Sequence, residues 1–294
     1  MRIGTMTCLY RDQRETDELI GYADSMKLCL EAGFNILDFS FCALLRGNTE
    51  LNGDDWQERL NLICREKEKL GIEVVQSHPP FRPFPWLHFP TPEEDERYAM
   101  LVKRSLDASA ALGVKWAVMH PVTAFSGNTL DPDSNLALNH EAYDWVVEYA
   151  NKRNIGIVFE NLFDGIKVNR RCFGISAEDL IMLMDSFRGA STGICWDTGH
   201  ANRTYADQVP AIKKLGRRIK ATHIHDNDGS GDQHLLPFLG TINWEGVIKA
   251  FRESGCEADL ILELSANNRM PLALRDNNAK FAGEVSRYLL SLTG

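Results

Sequence analysis

The chain has 294 residues, 44% of them hydrophobic and 25% charged, and its 41 acidic against 32 basic side chains leave a formal net charge of −9. That length suits one large domain over residues 1–294. The acidity argues against a broad phosphate-backbone footprint, which needs clustered cations to release counterions.

In chain order, β-rich apolar runs predict strands at 3–7, 35–39, 73–77, 116–120, 156–160, 193–197, 220–225 and 260–264. Amphipathic stretches between them predict helices at 17–32, 56–70, 92–112, 140–151, 177–187, 206–215, 244–254 and 274–292. Gly33, Gly71, Gly113, Gly216 and Gly255 follow five of these helices, where a left-handed residue ends a helix. Thr91-Pro92-Glu93-Glu94 and Ser176-Ala177-Glu178 carry N-terminal capping signals. Eight strand–helix repeats with continuously apolar strands specify a parallel sheet covered by helices. The expected fold is therefore α/β, a single-domain (β/α)8 TIM barrel.

No Gly-x-Gly-x-x-Gly and no Walker loop is present, so no nucleotide cofactor is expected. Neither does any segment reach the roughly 20 apolar residues of a membrane span. The opening MRIGTMTCLYRDQ lacks the apolar core of a secretory signal. Seven cysteines at scattered spacings match no disulfide framework or zinc knuckle. Reduced thiols in a cytoplasmic protein are expected.

Nine metal-competent side chains stand at or just beyond strand ends: His78, His120, Glu160, Asp197, His200, His223, Asp232, His234 and Glu263. The runs VVQSH, AVMH, GIVFE, GICWD and LILE each close on one of them. Strand C-termini are where barrel enzymes build their sites. Glu160, Asp197, His223 and Glu263, from the last four strands, suit a divalent ion such as Mn²⁺, Mg²⁺ or Zn²⁺. Burying three carboxylates together without a cation would cost several kcal/mol in repulsion and desolvation. The remaining five admit two readings, substrate contacts or ligands of further metals. Two long connections, 78–90 and 226–243, are loop candidates for walling the site. Phe81, Phe84, Trp86, Phe89, Phe163 and Trp196 are candidates for its apolar wall or for plain packing.

The strings CWDTGHAN, HIHDNDGSGDQHLLPFLGTINW and LILELS resemble those of the xylose isomerase-like barrel superfamily. That group holds sugar-phosphate isomerases and epimerases, inosose dehydratases and the endonuclease IV type of DNA-repair nuclease. The resemblance implies one divalent ion on Glu160, Asp197, His223 and Glu263. It further implies proton exchange by Glu160 and Glu263 and a substrate contact by His200; His78 and His120 are candidate substrate contacts from their strand-end positions. The arginine that the keto-sugar epimerases carry six residues after the ligand histidine is replaced here by Gly229. All nine ligand positions of the trinuclear endonuclease IV site have a counterpart, Asp232 and His234 being candidates for a second metal. Two strings of that nuclease differ, its Glu-Asn-Thr-Ala-Gly reading Glu160-Asn161-Leu162-Phe163-Asp164 and its Asp-Thr-Cys-His reading Asp197-Thr198-Gly199-His200.

The expected function is a divalent-metal-dependent isomerase or epimerase of a sugar or sugar phosphate, working through an enediolate, with Mn²⁺ favoured and Zn²⁺ or Mg²⁺ as alternatives. An inosose-type dehydratase shares the same first step, and a multinuclear zinc phosphodiesterase is the other alternative. The expected partner is a small carbohydrate or polyol rather than nucleic acid or membrane, and a homo-oligomer is left open.

Overall fold

The computed structural model describes residues 1–11, 20–82, 89–124, 131–164, 171–264 and 271–292. Among them, eight strands alternate with helices: β1 (Ile3–Met6), β2 (Ile36–Ser40), β3 (Glu73–His78), β4 (Trp116–Met119), β5 (Gly156–Glu160), β6 (Thr192–Asp197), β7 (Ile219–His223) and β8 (Leu260–Leu262). All neighbouring pairs are parallel, in the order β7-β6-β5-β4-β3-β2-β1-β8. The ring closes just past β7, where Ile224 bridges Leu262 and its N–H donates to Ile261 at 2.7 Å. The fold is a (β/α)8 barrel, as the repeat pattern implied.

The helices are α1 (Cys8–Arg11), α2 (Tyr22–Glu31), α3 (Trp56–Leu70), α4 (Pro92–Leu112), α5 (Pro132–Asn151), α6 (Ala177–Ser186), α7 (Thr198–Thr204), α8 (Val209–Leu215), α9 (Trp244–Glu253) and α10 (Leu272–Ser291). Helix α4 begins in a full capping box between Thr91 and Glu94 and ends on Gly113 at φ 82°. Helix α5 starts eight residues before the expected 140, because Asp131 caps Ser134 and Pro132 opens the first turn. The polar segment of α7 lacks apolar periodicity and was not expected to be helical; the Asp197 carboxylate caps it. Part of the expected 17–32 helix lies outside the described residues.

Successive strand residues face opposite sides of the sheet. Val118, Val158, Cys195 and Ala221 therefore form an apolar layer inside the barrel, and Met6, Ile36 and Ile261 form another. Met119, Phe159 and Trp196 point outward into the large core between strands and helices. Two residues beyond the first layer, on the same inward face, stand His120, Glu160, Asp197 and His223. Asp38 and Glu263 stand two residues beyond Ile36 and Ile261. The polar site is thus the next storey above the apolar filling. All seven cysteines are free thiols, and among the described residues no helix is long and apolar enough to cross a membrane.

Close strand packing leaves no room at Gly4, where an added Cβ would sit 2.3 Å from the Ile36 carbonyl oxygen and 2.8 Å from the Ile261 side chain. Gly4→Ala is expected to destabilise the barrel by about 1–3 kcal/mol, read as a lower urea midpoint at unchanged slope.

Candidate metal centre

Glu160, Asp197 and His223 end adjacent strands β5, β6 and β7, and all three are buried. Glu263 follows β8 and keeps partial exposure at the mouth. His223 Nδ1 lies 3.0 Å from Glu160 Oε1 and 3.1 Å from Glu263 Oε2. One donor atom from each of the four falls within 4.8 Å of those of the other three. The sequence-derived quartet therefore converges.

A second convergence involves the residues at the ends of β3 and β4. His78 Nε2 is 3.1 Å from His120 Nε2, and Glu160 Oε2 is 3.1 Å from His120 Nε2 and 3.5 Å from His78 Nε2. Yet Glu160 Oε2 is fully buried without a hydrogen bond. Three nitrogen and oxygen donors at such spacings match the edges of a coordination tetrahedron, about 3.3 Å for bonds near 2.0 Å. Asp197, His200 and His225, and likewise His225, His234 and Glu263, also bring donor atoms within 4.8 Å of one another, and Asp232 Oδ2 lies 3.6 Å from His200 Nε2 and 3.0 Å from His234 Nε2.

The imidazoles are oriented from behind. His78, His200 and His234 each donate Nδ1–H to a backbone carbonyl, of Pro79, Asn161 and Glu263, at 2.9, 2.9 and 3.1 Å. Each then has Nε2 facing the centre, as a metal-binding tautomer requires. His223 is turned the other way, its Nε2 3.4 Å from Asp38 Oδ2 and its Nδ1 inward. His234 holds φ 48°, a left-handed conformation uncommon outside glycine. On these observations the donor set fits a divalent cation.

Several residues that position the site were not singled out from the sequence. Asp38 is buried, accepts from Gln76 Nε2 at 2.7 Å and leaves Oδ1 unpaired. Asn161 clamps the Asp197 backbone, accepting from its N–H at 2.7 Å and donating to its carbonyl at 2.9 Å. His225 is fully buried with Nε2 2.9 Å from Asp197 Oδ2, and its ring stacks on His234 at 4.1 Å. Its signal was present: in His223-Ile224-His225, period-two alternation puts both histidines on one face. The His225 ring also explains Gly199, where a Cβ would fall 1.9 Å from it. Asp226 is the hub of the 226–243 loop, accepting from the N–H groups of Asn227, Phe238 and Ile242 and from Trp244 Nε1.

Of the aromatic candidates, Phe81 stacks on His120 at 4.5 Å and Phe163 packs 4.8 Å from His200, so both line the site. Trp196 faces the outer core, as its odd register relative to Asp197 dictates, and bonds Gln208. Phe89 packs on Tyr98 away from the centre. Phe84 and Trp86 lie outside the described residues.

The protein groups compensate one another's charge. Burial works to raise the Glu160 carboxyl, but His223 and His120 hold it well below the usual carboxylate range. Asp197 is likewise lowered against burial, by His200 and His225. Burial opposes the charge on His200, yet Asp197, Asp232 and Glu160 push it up to about 10. His234 is raised against burial to about 9, by Asp232 and Glu263. Burial prevails at His120, which is lowered in spite of Glu160.

With fold and site in view, the chain belongs to the xylose isomerase-like TIM barrel family, whose model matches residues 26–289. An uncharacterized protein of Sinorhizobium fredii is 30% identical over 200 residues, covering 65% of this chain and 54% of the relative. The chain spans about half the length of the curated relatives it matches. Among solved structures, a D-tagatose 3-epimerase-like protein superposes with TM-score 0.74 at 21% identity, covering 99% of this chain and 97% of the other. A D-psicose 3-epimerase with D-tagatose from Clostridium cellulolyticum gives TM-score 0.72 at 17% identity, covering 99% of each chain.

A cation that binds the folded state alone stabilises it, by about 2.7 kcal/mol at a hundredfold excess over its dissociation constant. Adding Mn²⁺ to EDTA-treated protein is therefore expected to raise the melting midpoint by several degrees; no shift with Mn²⁺, Zn²⁺ or Mg²⁺ would count against the site.

In metal-free protein the raised histidines have the opposite linkage. Their contribution is full below the ordinary value of 6.5 and is lost as pH rises through about 9 and about 10. The melting midpoint of EDTA-treated protein should fall between pH 7 and pH 10, and fall less in a His200→Gln/His234→Gln variant.

Proposed function

We propose that the protein is a divalent-metal-dependent isomerase or epimerase of a small ketose, sugar phosphate or related polyol. The observation that carries this reading is the quartet of Glu160, Asp197, His223 and Glu263, gathered at the open end of the barrel with one carboxylate still accessible. These four would hold the metal, with Mn²⁺ favoured for its oxygen-rich set and Zn²⁺ or Mg²⁺ as alternatives. When bound, such an ion polarises a carbonyl and lowers the cost of negative charge on its oxygen.

The two glutamates are not equivalent. Glu160 is buried among four histidines, its Oε1 facing His223 and His200 and its Oε2 facing His120 and His78. Glu263 is partly exposed and has its close side-chain contact with His223. Glu263 is thus the better placed to take the proton from the carbon beside a substrate carbonyl, giving an enediolate. Glu160, or one of the histidines around it, would return the proton to the other face or the neighbouring carbon. His200, fixed by Asn161, would hold a substrate hydroxyl, and Phe81 and Phe163 would exclude water from the flanks. Loss of a neighbouring hydroxyl from the same enediolate would make the enzyme a dehydratase.

A second reading is favoured by one specific observation, the separate triangle of His78, His120 and Glu160. Together with the donor sets Asp197-His200-His225 and His225-His234-Glu263, beside Asp232, it offers ligands for further ions of the kind multinuclear phosphoester hydrolysis uses. Counting bound metal in purified protein separates the two readings. One ion per chain, with one deuterium taken from solvent beside the carbonyl of a turned-over ketose, supports proton transfer. Turnover without deuterium uptake excludes it, and three zinc ions with phosphodiester cleavage establish the second reading. Glu263→Gln is expected to lower the exchange rate by about 10²- to 10⁴-fold.

A further inference from the structure

Four of the five half-buried arginines among the described residues have polar partners. Arg82, Arg153 and Arg171 pair with Asp95, Asp107 and Asp179, and Arg104 donates to the carbonyls of Leu51 and Asn52. Arg203 has none. Its Nε is fully buried without a hydrogen bond, and among the described residues no ion pair involves its guanidinium. A partly desolvated guanidinium normally has its N–H donors satisfied, because leaving them unmade forfeits the solvation they had in water.

The place of Arg203 gives this a functional meaning. It lies on α7 three residues after His200, so both project from neighbouring positions on one helix face. The guanidinium carbon sits 3.9 Å above the centre of the Phe163 ring. That ring packs 4.8 Å from His200, whose Nε2 faces Asp232. Phe163 thus forms a layer between the cation and the centre. The stacking orients the planar fork; Nε is enclosed, so the two terminal nitrogens are the end offered to a ligand.

We propose that Arg203 recognises an oxyanion on the substrate, a phosphate ester or a carboxylate, carried at the end of the molecule away from the reacting carbonyl. This deepens the carbohydrate reading of the site and rests on it: the substrate would be an anionic sugar rather than a neutral one. Arginine suits this because its fork matches both groups with two parallel hydrogen bonds. An acidic centre that would repel such a substituent makes a cation beside it more useful.

The test is ligand binding by zinc-loaded full-length protein, with D-fructose, D-fructose 6-phosphate and D-fructuronate as probes. Wild type should bind one of the two anionic sugars more tightly than D-fructose, by about ten- to a hundredfold for a bidentate charged pair. Which of them is preferred distinguishes phosphate from carboxylate. Arg203→Met, which keeps an apolar stem on Phe163, should remove that preference with D-fructose affinity unchanged, and Arg203→Lys should keep part of it. The Arg203 Nε–H resonance, absent from both variants, should shift when inorganic phosphate or acetate is added.

If no sugar binds while that resonance still shifts with phosphate or acetate, the oxyanion site stands and the carbohydrate reading fails. Equal loss of neutral and anionic sugars in Arg203→Met would mark a structural role and overturn the proposal. A wild type without preference for either anion, together with an unmoved resonance, would overturn it too.

Discussion

Glu160 and Asp197 are carboxylates with almost no exposure at the ends of adjacent strands, and the barrel mouth is arranged around the cost of burying them. An isolated buried carboxylate costs several kcal/mol even after relaxation. Here it is offset by histidines, several of which find a partner for their second nitrogen, while His225 Nδ1, Glu160 Oε2 and Asp38 Oδ1 stay buried without one. The partners lie further out, Asp38 behind His223, Asn161 behind His200 and the carbonyls of Pro79 and Glu263. The site is therefore a continuous polar network laid on an apolar floor of Val118, Val158, Cys195 and Ala221. In a low-dielectric setting such a network holds rigidly only when its members are satisfied together.

The same economy explains residues that bear no charge. Asn161 holds Asp197 by both backbone groups, so the strand end cannot rotate its carboxylate away. Gly199 is needed because the His225 ring occupies the space of a side chain. Asp226 looks like another site acid in the sequence, yet its two oxygens accept four hydrogen bonds that shape the loop carrying Asp232 and His234. A carboxylate saturated in that way builds the site and is poorly placed to act in it.

Much of this was legible before folding. The barrel was readable because each strand–helix repeat carries its own periodicity and caps. The quartet was readable because donors stood at equivalent strand ends, where a barrel gathers them. The α5 start and α7 were misread for local reasons: the first turns of α5 are polar and α7 has no apolar stripe. Asp38, Gln76 and Arg203 were passed over for a different reason, since each looks ordinary beside its sequence neighbours. Asp38 meets His223 across 185 positions, and Gln76 reaches Thr222 across 146.

By itself the sequence determined the barrel, the inward face of each strand and the identity of the metal-competent side chains, because alternation and capping are local properties. Only the tertiary structure decided how those side chains are grouped, which nitrogen of each histidine faces the centre, and that Arg203 has no polar partner among the described residues. Those features depend on distances between segments far apart in the chain, and such distances exist only once the ring of strands has closed.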